Sequence, residues 1–208
     1  MAPEVIFFIN CFITLLSILD PFSASISLMA LTEGYGDECR SYVVNRILKA
    51  ILAILITFAL VGGIIFMVFG ISLSALTVAG GLILAQMSFK MILWERSTAK
   101  KVEPEAASAE PVEDVAIIPL AMPLMAGPAA ITAVTVFAHR AANNTEYALL
   151  YVAIILVSGL SWLILKNSHK ISEFLGNTGT KVMIRVMGLV LLSMGVEFVL
   201  SGVKGYFS

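Results

Sequence analysis

Apolar residues occupy long runs of this chain, and short polar segments separate the runs. A bilayer core about 30 Å thick needs about 20 apolar residues in one helix to cross it. Six runs meet that requirement, at residues 5–31, 42–69, 72–94, 115–138, 147–165 and 180–203. The pattern predicts an all-α membrane protein with six transmembrane helices.

One long polar stretch, "ERSTAKKVEPEAASAEPVED" at 95–114, interrupts the pattern. Its content of Ala, Glu, Lys and Pro is typical of a flexible linker. We therefore expect a single integral membrane domain, 1–208, built from two groups of three spans at about 4–95 and 114–208. The cytoplasmic linker between them covers 96–113.

The composition agrees with a membrane location and argues against other classes. Hydrophobic residues make up 59% of the chain and charged residues only 13%, against roughly 25% charged in a soluble domain. No basic segment precedes the first run and no cleavage site follows it, so we expect a retained span and not a signal peptide. The net charge of −1, without a clustered basic face, argues against nucleic acid as a partner.

The basic residues predict the orientation, because cytoplasmic loops are enriched in Lys and Arg. The face with both termini and the second and fourth connections holds only Arg140 and Lys204. The opposite face holds Arg40, Arg46, Lys49, Lys90, Arg96, Lys100, Lys101, Lys166, Lys170, Lys181 and Arg185. Both termini are thus expected outside and the linker in the cytoplasm.

The two halves show signs of an internal repeat. A shift of 107 residues superposes Asp20-Pro21 on Gly127-Pro128, and the same shift aligns "AGGLILAQM" with "VMGLVLLSM". The middle spans show no clear match. Because each half has an odd number of spans, the second half enters the membrane from the opposite side, as in the inverted-topology repeats of many secondary transporters.

Helix breakers lie within the first and fourth spans. Asp20-Pro21 interrupts one, while Pro119, Pro123 and Gly127-Pro128 interrupt the other. Proline removes a backbone donor and clashes with the preceding turn, so both helices are predicted to be broken. The simpler alternative is that the prolines only kink packed helices and neighbouring hydroxyls satisfy the freed groups.

Two broken helices would form a site for a zwitterion, because half-helix ends present N–H groups on one side and carbonyls on the other. Asp20 adds a carboxyl that binds an ammonium group, carries a coupling proton, or is simply held protonated by a hydrogen bond to a neighbouring helix. The candidate substrate-binding residues are Asp20, Pro21, Gly127, Pro128, Thr14, Ser17, Ser23, Ser25 and Thr132, with Thr135 nearby.

The other polar residues are weaker candidates for a functional role. Arg46 either snorkels to the interface or pairs with an acid in a gate. Cys11, Cys39, His139 and His169 have no metal or redox spacing. We expect no enzyme activity and no cofactor beyond a coupling proton or sodium ion, and the chain has no nucleotide-binding loop for ATP. The pairs Gly62-Gly63 and Gly80-Gly81, with Gly188 and Gly195, are residues that allow close helix packing.

Four segments carry a family resemblance: "LDPFSASISLMALT", "FGISLSALTVAGGLILA", "IPLAMPLMAGPAAIT" and "IRVMGLVLLSMGVEFVLSGVKG". Together they resemble the MarC family of bacterial and archaeal inner-membrane proteins, also called the small neutral amino-acid transporter (SnatA) type. The likeness covers nearly the whole chain except the linker. It implies a six-helix fold of two inverted three-helix repeats, with a small-amino-acid site between the broken first and fourth helices.

The chain departs from the family pattern at both breaks. The usual Asn-Pro is Asp20-Pro21 here, and the usual Gly-Pro-Gly is Gly127-Pro128-Ala129. A glycine and a second proline that commonly follow the first break are replaced within Ser23-Ala24-Ser25-Ile26, so the second half-helix is expected to be more regular.

These observations predict a secondary transporter of small neutral amino acids, such as glycine or alanine, in the inner membrane. Alternating access of the two repeats, driven by a proton or sodium gradient, would move the substrate. The alternatives are a non-transporting membrane partner or regulatory subunit, and export of other small solutes. The oligomeric state stays open.

Overall fold

The computed structural model describes residues 3–32, 36–93 and 125–207, and the regular structure in these ranges is entirely helical. We number the helices α1 to α7 in chain order. They are Pro3–Leu19, Pro21–Leu31, Asp37–Val68, Leu73–Ile92, Pro128–Arg140, Asn144–Lys166 and Ser168–Phe207. The predicted linker at 96–113, the beginning of the fourth predicted span, and Pro119 and Pro123 lie outside the described residues.

Five helical stretches in these ranges are long and apolar enough to cross a membrane. They are Pro3–Met29, Arg40–Val68, Leu73–Ile92, Asn144–Lys166 and Lys181–Phe207. Each agrees with one of the predicted spans to within a few residues. The structure describes only the second part of the fourth predicted span, the 13-residue α5. A total of six spans therefore stays a prediction. Over the described ranges the chain is all-helical and has the several apolar helices of a multi-pass membrane protein.

Polar side chains mark where two of the spans begin. The Ser72 hydroxyl accepts a hydrogen bond from the Ala75 N–H (3.1 Å) at the start of α4. At the start of α6, Asn143 Oδ1 accepts from the Glu146 N–H and Glu146 Oε2 accepts from the Ala142 N–H, both at 2.8 Å. The bonds to Ser72 and Asn143 satisfy N–H groups that the first helical turn leaves unpaired, and the bond to Glu146 holds the preceding Ala142 N–H against the helix.

The last helix is interrupted at Gly176. This residue has φ 58° and ψ −178°, a conformation that glycine adopts without steric cost. The membrane-spanning part of α7, Lys181–Phe207, follows the interruption. The predicted span at 180–203 therefore begins at the correct position, and the helix extends four residues beyond its predicted end.

Helices α4 and α7 pack antiparallel along a seam of glycines spaced seven residues apart. Gly188 lies against Met91 and Ile92, Gly195 against Gly81, and Gly202 against Ser74 and Val78. A Cβ added to Gly195 would lie 2.8 Å from the Gly81 carbonyl oxygen. Small residues allow such close backbone approach in membranes. The packing interpretation is confirmed for Gly81, Gly188 and Gly195.

Helix α5 packs against α3 and α4 through two further glycines. The side chain of Thr135 fills the space beside Gly62, and that of Thr132 fills the space beside Gly80. Gly63 behaves differently, because nothing lies within 4 Å of the position where its Cβ would be. The packing interpretation is therefore wrong for Gly63, which is on the exposed side of α3.

The two short helices that follow the breaks pack on opposite halves of the chain. Helix α2, from the first half, contacts α6 and α7 of the second half. Helix α5, from the second half, contacts α3 and α4 of the first half. One continuous apolar core includes residues of both halves, so the halves are interlocked and not separate bodies.

Candidate functional site

The first helix is broken at Asp20, as the sequence predicts. Helix α1 ends at Leu19 and α2 begins at Pro21, while Asp20 has φ 37° and ψ 65°. It is the one non-glycine residue with positive φ among those the structure describes. Aspartate and asparagine tolerate this left-handed conformation better than other side chains. Pro21 has no N–H, so the Ser17 carbonyl loses the partner it would have in a continuous helix.

The carboxylate of Asp20 caps the helix that follows. Its Oδ1 accepts a hydrogen bond from the Ser23 N–H at 3.4 Å. The helical hydrogen-bond pattern continues on both sides of Asp20. Its N–H donates to the Leu16 carbonyl and its carbonyl accepts from the Ala24 N–H, both at 3.1 Å. Asp20 is only 9% exposed. The break therefore holds a buried carboxyl at the N-terminus of α2, where the helix dipole favours negative charge.

The small hydroxyl residues predicted to line this break are all within six residues of it in the chain. Thr14, Ser17 and Ser25 are buried, and Pro21 is buried with them. The Ser25 hydroxyl donates to the Phe22 carbonyl at 2.7 Å. The Ser23 Oγ is buried and makes no hydrogen bond in the described part of the molecule. Helix α2 runs without interruption from Pro21 to Leu31, as expected for a segment that lacks the second proline.

The second break is described from Met125 onward. Gly127 is buried and extended (φ −72°, ψ −174°), and Pro128, which is exposed, begins α5. The Gly127 carbonyl accepts from the N–H groups of Ala130 (3.0 Å) and Ile131 (3.1 Å). Gly127 makes no side-chain cap, in contrast to Asp20. The first turn of α5 contains only the small buried residues Ala129 and Ala130 beside Pro128.

Thr132 and Thr135 are buried on α5 and face other helices. Thr132 packs against Gly80 of α4. Thr135 packs against Gly62 of α3, and its Oγ1 donates to the Phe58 carbonyl at 3.3 Å. These contacts give both threonines a packing role at the junction between the halves.

The two breaks share one buried core, although the short helices that follow them have different principal neighbours. Ala126, Ala129 and Ala130 belong to the same apolar cluster as Leu19 and Ala24. Helix α1 contacts α5 directly, and the Phe7 and Phe137 rings meet edge to face with centroids 6.0 Å apart. Residues next to both breaks therefore belong to one apolar core.

Arg46 lies outside this interior. It is exposed on α3, its Nε donates to the Tyr42 hydroxyl at 3.1 Å, and its guanidinium lies 5.5 Å from the centre of the Tyr42 ring. Both contacts are to a residue one turn earlier on the same helix. The exposure agrees with the snorkelling alternative for Arg46.

Two features of α6 were not anticipated from the sequence. Ser158 and Ser161 line a small cavity of about 10 Å³ between α3 and α6, next to Met125. That volume is near the minimum for one water molecule. At the edge of this cavity, Trp162 Nε1 donates to Asn45 Oδ1 at 2.7 Å. The signal available in the sequence was the pair of serines three residues apart in an otherwise apolar span.

The chain contains no group of three or more His, Cys, Asp or Glu side chains placed to hold a metal ion within the ranges that are described. The ionisable group buried at the breaks is the Asp20 carboxyl. The arrangement can therefore bind polar groups through backbone dipoles, hydroxyls and one acid.

Comparison with known proteins identifies relatives that match nearly the whole chain. The family model described as "MarC family integral membrane protein" matches residues 5–207. A UPF0056 membrane protein of Methanocaldococcus jannaschii is 36% identical over 96% of this chain and 97% of its own length. One from Pyrococcus abyssi is 36% identical over 94% of each chain.

More distant relatives include YhcE, a UPF0056 membrane protein of Escherichia coli, which is 29% identical over 94% of this chain and 91% of its own length. No solved structure matches. The names of these relatives specify a membrane protein and no substrate. The match over nearly the whole length, together with the apolar helices and the Asp20-Pro21 break, shows that the chain belongs to the MarC family of integral membrane proteins.

Proposed function

We propose that this protein is a secondary transporter that moves small neutral amino acids, such as glycine or alanine, across the inner membrane by alternating access. The site lies at the two helix breaks, Asp20-Pro21 and Gly127-Pro128. The two halves of the chain act as inverted repeats that rock against each other around it.

The observation that carries this proposal is the reciprocal packing of the two short helices. Each begins at a proline, and each packs against the long helices of the opposite half. Two repeats related by a two-fold axis in the membrane plane would exchange elements in this way, and transporters with such repeats bind substrate at broken helices near the midplane.

The unequal capping of the two short helices suggests how a zwitterion would be oriented. The N-terminus of α2 already has the Asp20 carboxylate, whereas the N-terminus of α5 has no side-chain cap. A substrate carboxylate therefore has the better site at α5, next to Ala129 and Ala130. Its ammonium group then faces Asp20, which offers the opposite charge.

The size of the substrate follows from the residues at the second break. Ala129, Ala130 and Gly127 are small and buried, and they surround the uncapped end of α5. A large side chain on the substrate would collide with this packed interior, while glycine or alanine adds at most one methyl group. The narrow cavity beside Met125 means that helices must separate to admit any amino acid.

A transmembrane ion gradient would supply the energy. As the alternative to pairing with the substrate ammonium group, the Asp20 carboxyl would bind the coupling proton, or its charge would help to hold a sodium ion. With both termini outside and the linker at 96–113 in the cytoplasm, substrate crosses between the two faces without covalent chemistry. The remaining candidates are a regulatory subunit that binds another membrane protein and an exporter of other small solutes.

Purified protein alone distinguishes these candidates. Thermal unfolding in detergent, measured with glycine, alanine and a large amino acid such as tryptophan, should show stabilisation by the small ones only, because ligands that bind the native state raise its stability. If no amino acid stabilises the protein and a membrane protein partner does, the subunit candidate replaces the transporter.

A further inference from the structure

Buried hydroxyl groups without a hydrogen-bond partner are concentrated around one helix. In the ranges that the structure covers, they belong to Ser23, Tyr151, Ser158, Ser161 and Ser168. Three of these residues are on α6, Ser168 follows its end, and Ser23 is on α2, which packs against α6. Unsatisfied buried polar groups are rare in native proteins, so a cluster of them requires an explanation.

The helix geometry alone does not explain the missing bonds. A buried serine in a helix commonly donates to the carbonyl four residues earlier, and Ser88 on α4 does so with Leu84 at 2.6 Å. Ser88 and Ser158 are both fully buried. Ser158 and Ser161 nevertheless make no such bond. Their hydroxyls are therefore available to a partner that the described part of the chain does not provide.

The hydroxyls on α6 lie on one side of the helix. With 100° between successive residues, Tyr151, Ser158 and Ser161 fall within an arc of about 80° and extend over about 15 Å along the axis. Such an arc is a polar stripe on a helix that is otherwise apolar. It runs from the middle of α6 toward the end that carries Lys166.

The stripe reaches the small cavity beside the second break. Ser158 and Ser161 line this cavity with Met125, which is two residues before Gly127. The opposite wall is the apolar face of α3, which includes Val44 and Ile51. A polar pair thus lies inside the protein at the approach to the proposed site.

One hydrogen bond joins the two helices where this cavity meets the surface. Trp162 Nε1 donates to Asn45 Oδ1 at 2.7 Å, and Trp162 lines the cavity next to Ser161. The Lys166 ammonium lies 4.7 Å from the centre of the Trp162 ring and holds it against the end of α6. Separating α3 from α6 requires the Asn45–Trp162 bond to break.

We propose that Ser158 and Ser161 form a polar subsite on the solute path, and that the Asn45–Trp162 hydrogen bond closes this path between the subsite and the protein surface. The inference rests on the proposed function and identifies the entrance to the same site. Its ligand is a small zwitterion, because a hydroxyl accepts from an ammonium group and donates to a carboxylate. When α3 and α6 separate, water and then the amino acid become the missing partners.

Cysteine labelling in nanodiscs, where both membrane faces are accessible, tests this path. In a background with Cys11→Ala and Cys39→Ala, the variants Ser161→Cys and Ser88→Cys are treated with a small cationic methanethiosulfonate reagent. Ser161→Cys should be modified and Ser88→Cys, equally buried in the α4–α7 region, should not. Adding Asn45→Ala should speed modification at 161 by about two- to tenfold, as expected from the loss of one neutral hydrogen bond.

A second variant tests the bond without removing the aromatic ring. Trp162→Phe lacks Nε1–H and keeps most of the packing, so it should also increase the rate at 161. If modification at 161 is as slow as at 88 in all three backgrounds, no path exists there and the inference is wrong.

The same experiment separates this inference from the proposed function. If 161 is modified and the Asn45→Ala effect is present, the path is supported. Slower modification in the presence of glycine or alanine then supports the proposed function as well. If neither amino acid slows it, the path remains and the amino-acid assignment fails.

Discussion

Gly81 and Gly195 face each other where α4 crosses α7, so closely that a Cβ on Gly195 would lie 2.8 Å from the Gly81 carbonyl oxygen and 3.0 Å from the Ala85 nitrogen. These neighbours are backbone atoms, which cannot move aside as a flexible side chain can. The contact joins the last helix of each half. It is therefore a sensitive place to test how the two halves are held together.

Gly195→Ala should destabilise the protein by about 1–3 kcal/mol, the usual cost of overpacking a close contact. The measurement is thermal unfolding in detergent. Gly159→Ala on α6 is the matched control, because nothing lies within 4 Å of its Cβ position. A control that is as destabilised as Gly195→Ala would show that the loss of glycine itself, and not the α4–α7 contact, is responsible.

Gly62 and Thr135 allow a test of the contact between α3 and α5. Gly62→Ala should destabilise the protein, because its new methyl group would occupy the space of the Thr135 side chain. Thr135→Ala should lose the Thr135–Phe58 hydrogen bond, at a cost of about 0.5–1.5 kcal/mol. The double variant should be more stable than the sum of the two changes predicts, since the second change removes the collision. Additive effects would contradict the placement of α5 on α3.

Asp20→Asn and Asp20→Ala separate the structural role of Asp20 from its charge. Asparagine tolerates the left-handed backbone and caps a helix, so the unfolding temperature of Asp20→Asn should be close to that of the wild type. Alanine loses the cap and is strained at positive φ, so Asp20→Ala should be destabilised by about 1–3 kcal/mol. If the amide variant is as unstable as the alanine variant, the carboxylate charge itself is part of the fold.

Pro21→Ala tests whether the break serves function at the expense of stability. The new N–H can pair with the Ser17 carbonyl, and alanine favours the helix interior. We expect equal or higher thermal stability together with loss of amino-acid uptake in proteoliposomes. Pro3→Ala, at the exposed start of α1, should change neither property. Full uptake by Pro21→Ala would mean that transport does not need the break.

Much of the fold could be predicted because bilayer thickness imposes a length on apolar segments. The end of α3 and the start of α4 lie within one residue of the predicted bounds, at the Phe69-Gly70-Ile71-Ser72 connection. The break at Asp20-Pro21 could also be predicted, because a missing N–H disrupts a helix wherever it occurs. The role of Gly81 and Gly195 follows from the chemistry of small residues in membranes.

The rest depends on which helices are neighbours, and apolar periodicity does not encode this. Thr132 and Thr135 are candidate site residues by composition, yet both are packed against glycines on other helices. Asn45 and Trp162 are 117 residues apart and form one hydrogen bond. Gly63 resembles Gly62 in the sequence, but it points away from α5, and only the orientation of α3 distinguishes them.

The central claim is that this chain alone transports small neutral amino acids, and the most direct test is uptake of labelled glycine and alanine by proteoliposomes that contain only the purified protein. With an inward proton or sodium gradient, we expect saturable uptake that exceeds uptake by protein-free liposomes and is altered in Asp20→Asn. Unlabelled small amino acids should compete and tryptophan should not. Absence of uptake of any small neutral amino acid under either gradient and in either direction would contradict the account.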